Sequence, residues 1–189
     1  MNIAILPWVA AFIHLVAFGL YIKRTLGGRN KPVATSWGIR AFRATLIAVT
    51  FRDMTDTLSA LQFIVGSVGC IVVFSVLVFL GELKKMDGRQ WTVLVIGIFA
   101  IVMWKLTTAE VANTILIASV IWTFGPTITS ARKEPTSEWW IPWAMWTMST
   151  MLTFSYIFFA TGNTFALVMP CTLILGNGMT CFYLIRGRK

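Results

Sequence analysis

Arg40 and Arg43 stand three residues apart inside an apolar run over residues 33–51. That spacing on a helix puts both on one face. Counted from Val33, they lie about seven and ten residues into the run, roughly 10 to 15 Å along a helix axis. A guanidinium at that depth in a bilayer costs several kcal/mol or more unless it is paired or solvated. A water-filled cavity would meet the requirement, with the arginines holding an anionic or hydrogen-bond-rich ligand. So would a structural arrangement, in which Arg43 bonds a buried carbonyl or acid and Arg40 snorkels to water. A second feature is the stripe Trp139, Trp143, Trp146, Thr150, Thr153, whose steps of four, three, four and three keep it on one helical face. Indole faces stack planar ligands or hold cations, and an arginine can lie against them. Trp139 and Trp140 also suit the plainer role of anchors at a membrane interface. Asn177 in the last apolar run is a further candidate for binding or for joining helices. Asn113 and the lone His14 are lesser ones, His14 being more naturally an interhelical hydrogen-bonding residue than a proton relay.

These residues must be positioned by helices in lipid. The chain has 189 residues, of which 57% are hydrophobic and only 12% charged, with mean hydropathy +0.77. A soluble domain is typically about a quarter charged, and a globule of this size cannot bury so much apolar surface. Apolar runs fall at residues 3–22, 33–51, 58–80, 91–106, 111–128, 139–161 and 164–185. A bilayer core needs roughly 20 apolar residues per helix, and nothing suggests the ten-residue alternation of a barrel. The expectation is an all-α integral membrane protein with seven transmembrane helices. The first run has no basic residue before it and no small-residue cleavage site after it, so it is expected to be retained as a helix.

Net charge is +9, yet the basic residues sit in short loops rather than along a stripe, which argues against a nucleic-acid partner. Lys23, Arg24, Arg29 and Lys31 follow the first run, Lys84, Lys85 and Arg89 the third, Arg132 and Lys133 the fifth, and Arg186, Arg188 and Lys189 the seventh. The opposite side holds only Arg52 and Lys105, beside Asp53, Asp56 and Glu110. The basic side is expected to be cytoplasmic. An odd helix count then leaves the N-terminus outside and the C-terminus inside, in a multi-pass protein of the cell (inner) membrane. Glu82, Asp87, Glu134 and Glu138 fall at the inner ends, so no carboxylate lies in a helix core. Ion-coupled carriers usually need one there, which favours passive facilitation. Cys70, Cys171 and Cys181 are scattered singly, so neither a metal site nor a disulfide framework is expected. Enzyme motifs and cofactor-binding motifs are missing, and neither an enzyme nor a cofactor is expected.

Shifting the sequence by 106 lays Phe18, Gly19 and Ile22 on Phe124, Gly125 and Ile128. A shift of 103 lays Pro32, Trp37, Ala41, Thr50 and Phe51 on Pro135, Trp140, Ala144, Thr153 and Phe154, and lays Arg40 and Arg43 on Trp143 and Trp146. Two parallel three-helix repeats, residues 1–85 and 108–189, would then flank a linker helix in residues 86–107. This three–one–three order resembles the SWEET and PQ-loop transporter superfamily and the PnuC-type vitamin transporters, over almost the whole chain. Trp143-x-x-Trp146 resembles the WxxW signature of the PnuC type. A helix ending Gly125-Pro126-Thr127, then Pro135 and a Trp-rich helix, resembles one repeat of an uncharacterised bacterial group with this fold. Asn177 resembles the seventh-helix Asn of the sugar-type members, with its counterpart on the third helix falling at residues 70–73. Thr127 stands where a PQ motif carries Gln, and the first repeat has Gly19-Leu20-Tyr21 without a proline.

The resemblance implies a facilitative transporter of a small polar molecule, with Arg43, Arg40, Trp146, Trp143 and Asn177 as substrate-binding residues. A sugar, a vitamin or nucleoside-like molecule, or an anionic metabolite would each fit part of that set. The rival expectation is a scaffold, assembly factor or sensor built on the same bundle. Oligomeric state is left open, a homo-oligomer included.

Overall fold

A computed structural model describes residues 3–30, 32–136 and 138–187. The helices are α1 (Ile5–Leu26), α2 (Ala34–Met54), α3 (Thr57–Phe79), α4 (Gly88–Leu106), α5 (Ala109–Lys133), α6 (Trp140–Tyr156) and α7 (Val168–Arg186). No strand occurs among the described residues. The α6 helix runs on into a π turn, Ile157–Thr161, and a short 3-10 turn, Phe165–Leu167, leads into α7. The expected basic residues Lys31, Arg188 and Lys189 lie outside the described residues.

Five helices (α1, α3, α4, α5 and α7 with the turn before it) are long and apolar enough to cross a membrane. Arg40 and Arg43, with Thr35, Ser36, Thr45 and Thr50, lower the hydropathy of α2 below that of the five. The α6 helix is 17 residues long before its π turn. Large apolar side chains cover the surface, and several polar ones are buried among the apolar core. Trp8, Phe12, Val95, Phe99, Trp122 and Phe182 are exposed, while Thr50, Ser59, Gln62, Asn113, Ser149 and Thr150 are buried. An apolar exterior of this extent suits contact with lipid.

Local chemistry sets the helix ends. Asp56 accepts from the amides of Leu58 and Ser59 to start α3, and Asp87 and Gln90 form a capping box at α4. Val33 gives α2 no side-chain cap. Instead the Ala34 amide donates to the Glu82 carbonyl at 3.1 Å, and the Lys84 amide donates to the Thr35 hydroxyl at 3.1 Å. The entry of α2 is thereby tied to the α3–α4 connection.

One expected boundary is corrected. The fifth helix does not end at Gly125-Pro126-Thr127 but continues through Pro126 to Lys133. A proline removes one backbone bond and bends a helix without having to end it. Here the Thr127 and Thr129 hydroxyls donate back to the Thr123 and Gly125 carbonyls around it. Arg132 and Lys133 then sit favourably in the last turn.

In the packing, α1 lies on α3, α3 on α2, α2 on α5, α5 on α7, α7 on α6 and α6 on α1, which closes a ring of six. Outside the ring, α4 lies against α2 and α5, with Gly97 directly beneath the Phe42 ring. The interior holds two apolar clusters. One, around Phe18, Trp37, Trp143, Trp146 and Leu184, lies toward the basic loops. The other, around Phe51, Phe63, Leu116, Ile157 and Met169, fills the opposite half.

Candidate functional site

At the centre of the ring is a cavity of about 130 Å³. Each ring helix borders it: His14 and Phe18 from α1, Arg40 and Arg43 from α2, Gln62 and Cys70 from α3, Thr123 and Phe124 from α5, Trp143 and Trp146 from α6, Asn177 from α7. The α4 helix contributes nothing among the described residues. All five sequence-derived candidates, Arg40, Arg43, Trp143, Trp146 and Asn177, therefore come together at one cavity.

Its two ends differ. Ile47, Phe63 and Val120 border it on the side away from the basic loops and belong to the dense apolar cluster there. Phe51 closes over Phe63 with ring centroids 4.4 Å apart. Toward the basic loops, two further cavities of about 190 and 270 Å³ continue the space. Arg40 borders all three. The central cavity thus backs onto the apolar cluster on one side and shares Arg40 with the two further cavities on the other.

Arg43 is the charged centre. Its Nη1 donates to the Ser119 carbonyl at 3.1 Å and to the Thr123 hydroxyl at 2.5 Å, both on α5. No carboxylate pairs with it among the described residues. Arg43 thus bonds a buried carbonyl and also borders the cavity. Arg40 lies over the Trp37 ring at 4.7 Å, an attraction that holds the guanidinium beside the exit.

The aromatic wall is continuous. Trp146 stands 5.3 Å from Phe18, 5.9 Å from Tyr21 and 5.3 Å from Trp143, centroid to centroid. The Trp143 indole donates to the Glu138 carboxylate at 2.8 Å, so that indole N–H is used at the mouth. The Trp146 Nε1–H is buried with no partner among the described residues. Trp139 lies outside the cavity, stacked by Arg24 at 5.2 Å, as an interfacial anchor would be.

Behind the wall runs a polar relay. Ser149 donates to the Ala10 carbonyl at 2.8 Å and meets His14 Nδ1 at 3.1 Å. Gln62 Nε2 lies 3.3 Å from the same His14 nitrogen, so Ser149 and Gln62 converge on Nδ1. Gln62 Nε2 donates to Thr150 at 2.7 Å, leaving Gln62 Oε1 buried and without a partner among the described residues. Asn177 borders the cavity, as does Cys70, one of residues 70–73 where its counterpart was expected, though none of these is an asparagine. Asn113 is elsewhere, donating to Thr50 at 3.2 Å in the half away from the basic loops.

Gln62, Thr123 and Phe18 were not legible as site residues from the sequence. Gln62 offered a usable clue as the lone amide side chain in the 58–80 run, whereas a threonine or phenylalanine inside a membrane helix carries none. In comparisons with family models, with curated proteins and with solved structures, the chain matches none.

Proposed function

We propose that the chain is a facilitative transporter of a small polar or anionic molecule. It works by alternating access of two three-helix bundles, α1–α3 and α5–α7, joined by α4, with all seven helices crossing the membrane. The observation that carries the reading is the central cavity, bordered by all six ring helices and, among the described residues, by none of α4, with a dense apolar cluster on one side and further cavities on the other.

The ring order supports the repeat. Replace α1, α2 and α3 by α5, α6 and α7, and each neighbouring pair maps onto another. The α1/α3 contact becomes α5/α7, α2/α3 becomes α6/α7, and α1/α6 becomes α5/α2. This is the order expected of two parallel repeats about an axis along the membrane normal, as in the SWEET-like architecture the sequence resembles. The α2 helix, less apolar than its neighbours, and α6, shorter than they are, are flanked in the ring by helices that can span, so they cross with them. With the basic loops in the cytoplasm of an inner-membrane protein, the cavity faces inward.

The seams between the bundles combine aromatic packing of Phe18 and Tyr21 on Trp146 with hydrogen bonds, among them Gln62 to Thr150 between α3 and α6. Arg43 to Ser119 and Thr123, and Asn113 to Thr50, join α2 to α5. Ser149 to Ala10 and His14 joins α1 to α6. Rocking would open the Phe51–Phe63 side while closing the Arg40 side. The test is uptake by proteoliposomes across sugars, nucleosides, vitamins and carboxylates. Saturable flux for one class is expected. A folded protein that carries none of them would remove the transport reading.

A further inference from the structure

We infer that the central cavity binds a single-ring, planar carboxylate bearing a second small polar substituent, with the carboxylate on Arg43 and the ring against Trp146. The inference deepens the transport reading and rests on it for flux, though not for binding.

Charge comes first. Two guanidiniums border the cavity and, among the described residues, no carboxylate does. Arg43 spends Nη1 on α5, which leaves the three donors of Nε and Nη2. That edge matches the two oxygens of a carboxylate side-on. A cationic ligand would find no counter-charge here, and a neutral one would leave a guanidinium uncompensated deep in the membrane.

Shape comes second. The wall is made of flat rings, with Trp146 in contact with Phe18 at 5.3 Å and Trp143 at 5.3 Å. A volume of about 130 Å³ is close to the ~150 Å³ of an engineered cavity that holds one benzene ring. A hexose would need many hydrogen-bond partners, and most of this lining is apolar.

Orphaned polarity comes third. Trp146 and Gln62 border the cavity, and the buried Trp146 Nε1–H and Gln62 Oε1 have no partners among the described residues. Trp146 is 5% exposed and Gln62 2%, so neither is satisfied by bulk water. One is a donor and the other an acceptor. A hydroxyl on the ligand both accepts and donates, and so can serve both.

The experiment is calorimetric titration of the purified full-length protein in detergent with 4-hydroxybenzoate, benzoate, 4-hydroxybenzamide, 4-hydroxycyclohexanecarboxylate and glucose. 4-Hydroxybenzoate should bind saturably. The neutral amide should bind at least about tenfold more weakly, the scale of a lost charge-assisted bond, and the non-planar acid several-fold more weakly. Arg43→Gln should erase the preference for acid over amide, and Gln62→Leu the preference for the hydroxylated ring over benzoate. Because the ligand series is run on the unaltered chain, a variant that misfolds leaves the test standing. Equal binding of acid and amide, tighter binding of glucose, or no binding of either benzoate by folded protein would each overturn the ligand class. Binding without flux in proteoliposomes would leave that class in place and remove the transport reading. Sugar flux without carboxylate binding would do the reverse.

Discussion

Phe18 of α1 lies so close over Gly69 of α3 that a Cβ on the glycine would stand 2.3 Å from the ring. Phe124 of α5 covers Gly176 of α7 in the same way, at 2.4 Å. The phenylalanines are 106 residues apart and the glycines 107, so both contacts fall at matching places under the proposed repeat. Gly69→Ala and Gly176→Ala should each destabilise the protein by about 1–3 kcal/mol through overpacking, measured by thermal unfolding in detergent. Gly125→Ala meets nothing within 4 Å and should be neutral or gain up to about 1 kcal/mol. Adding Phe18→Ala to Gly69→Ala should cost less than the sum of the two single changes. Additive losses would mean the ring and the glycine are not coupled.

Cys70 borders the central cavity and is 5% exposed, which makes it a native reporter of access. With Cys171 and Cys181 replaced by alanine, a membrane-impermeant maleimide should label Cys70 slowly from the basic-loop side. From the other side labelling should be far slower, because the packing around Phe51 and Phe63 blocks it. 4-Hydroxybenzoate should slow the reaction further. Protection from both sides until the protein is denatured would describe a sealed core, as a scaffold or sensor would have.

The arginines were legible because an ionised group in an apolar run must be answered by its surroundings, whatever they are. The stripe through Trp143 and Trp146 was legible because side-chain spacing alone sets a helical face. Helix ends were less so. Hydropathy marks the edge of the apolar layer, whereas α1 runs on to Leu26 and α5 to Lys133 through polar, basic turns that favour helix C-termini. Pro126 looked like a terminator because proline usually ends helices in water, but neighbouring threonines make the bend tolerable here. The ring order could not be read from the apolar pattern itself. Lipid-facing and helix-facing residues are both apolar, and only contacts such as Phe18 on Gly69 distinguish one neighbour from another.

Pro126 leaves the Trp122 carbonyl without its helical donor and borders both cavities on the basic-loop side. If α5 bends there during transport, Pro126→Ala should restore the bond, raise stability by about 1 kcal/mol and slow uptake several-fold. Stability would be read from thermal unfolding and uptake from proteoliposomes. A more stable protein with unchanged uptake would show that the proline shapes α5 without acting as a hinge.

Thr50 and Thr153, 103 residues apart, are each 1% exposed but differently satisfied. The Thr50 hydroxyl donates to the Leu46 carbonyl and accepts from Asn113 across the α2/α5 seam. The Thr153 hydroxyl has no partner among the described residues. The position 106 residues before Asn113 is Pro7, which has no amide side chain to offer across the α1/α6 seam. Thr50→Val should therefore strand the Asn113 amide and cost about 1–3 kcal/mol. Thr153→Val removes only an orphaned hydroxyl and should be neutral or stabilising by up to about 1 kcal/mol. Thermal unfolding of the two variants separates the cases. Because the Thr50–Asn113 bond crosses the half away from the basic loops, Thr50→Val should also speed Cys70 labelling from that side, which Thr153→Val should not. Equal effects of the two valines on both readouts would mean that the α2/α5 hydrogen bond does not hold that side shut.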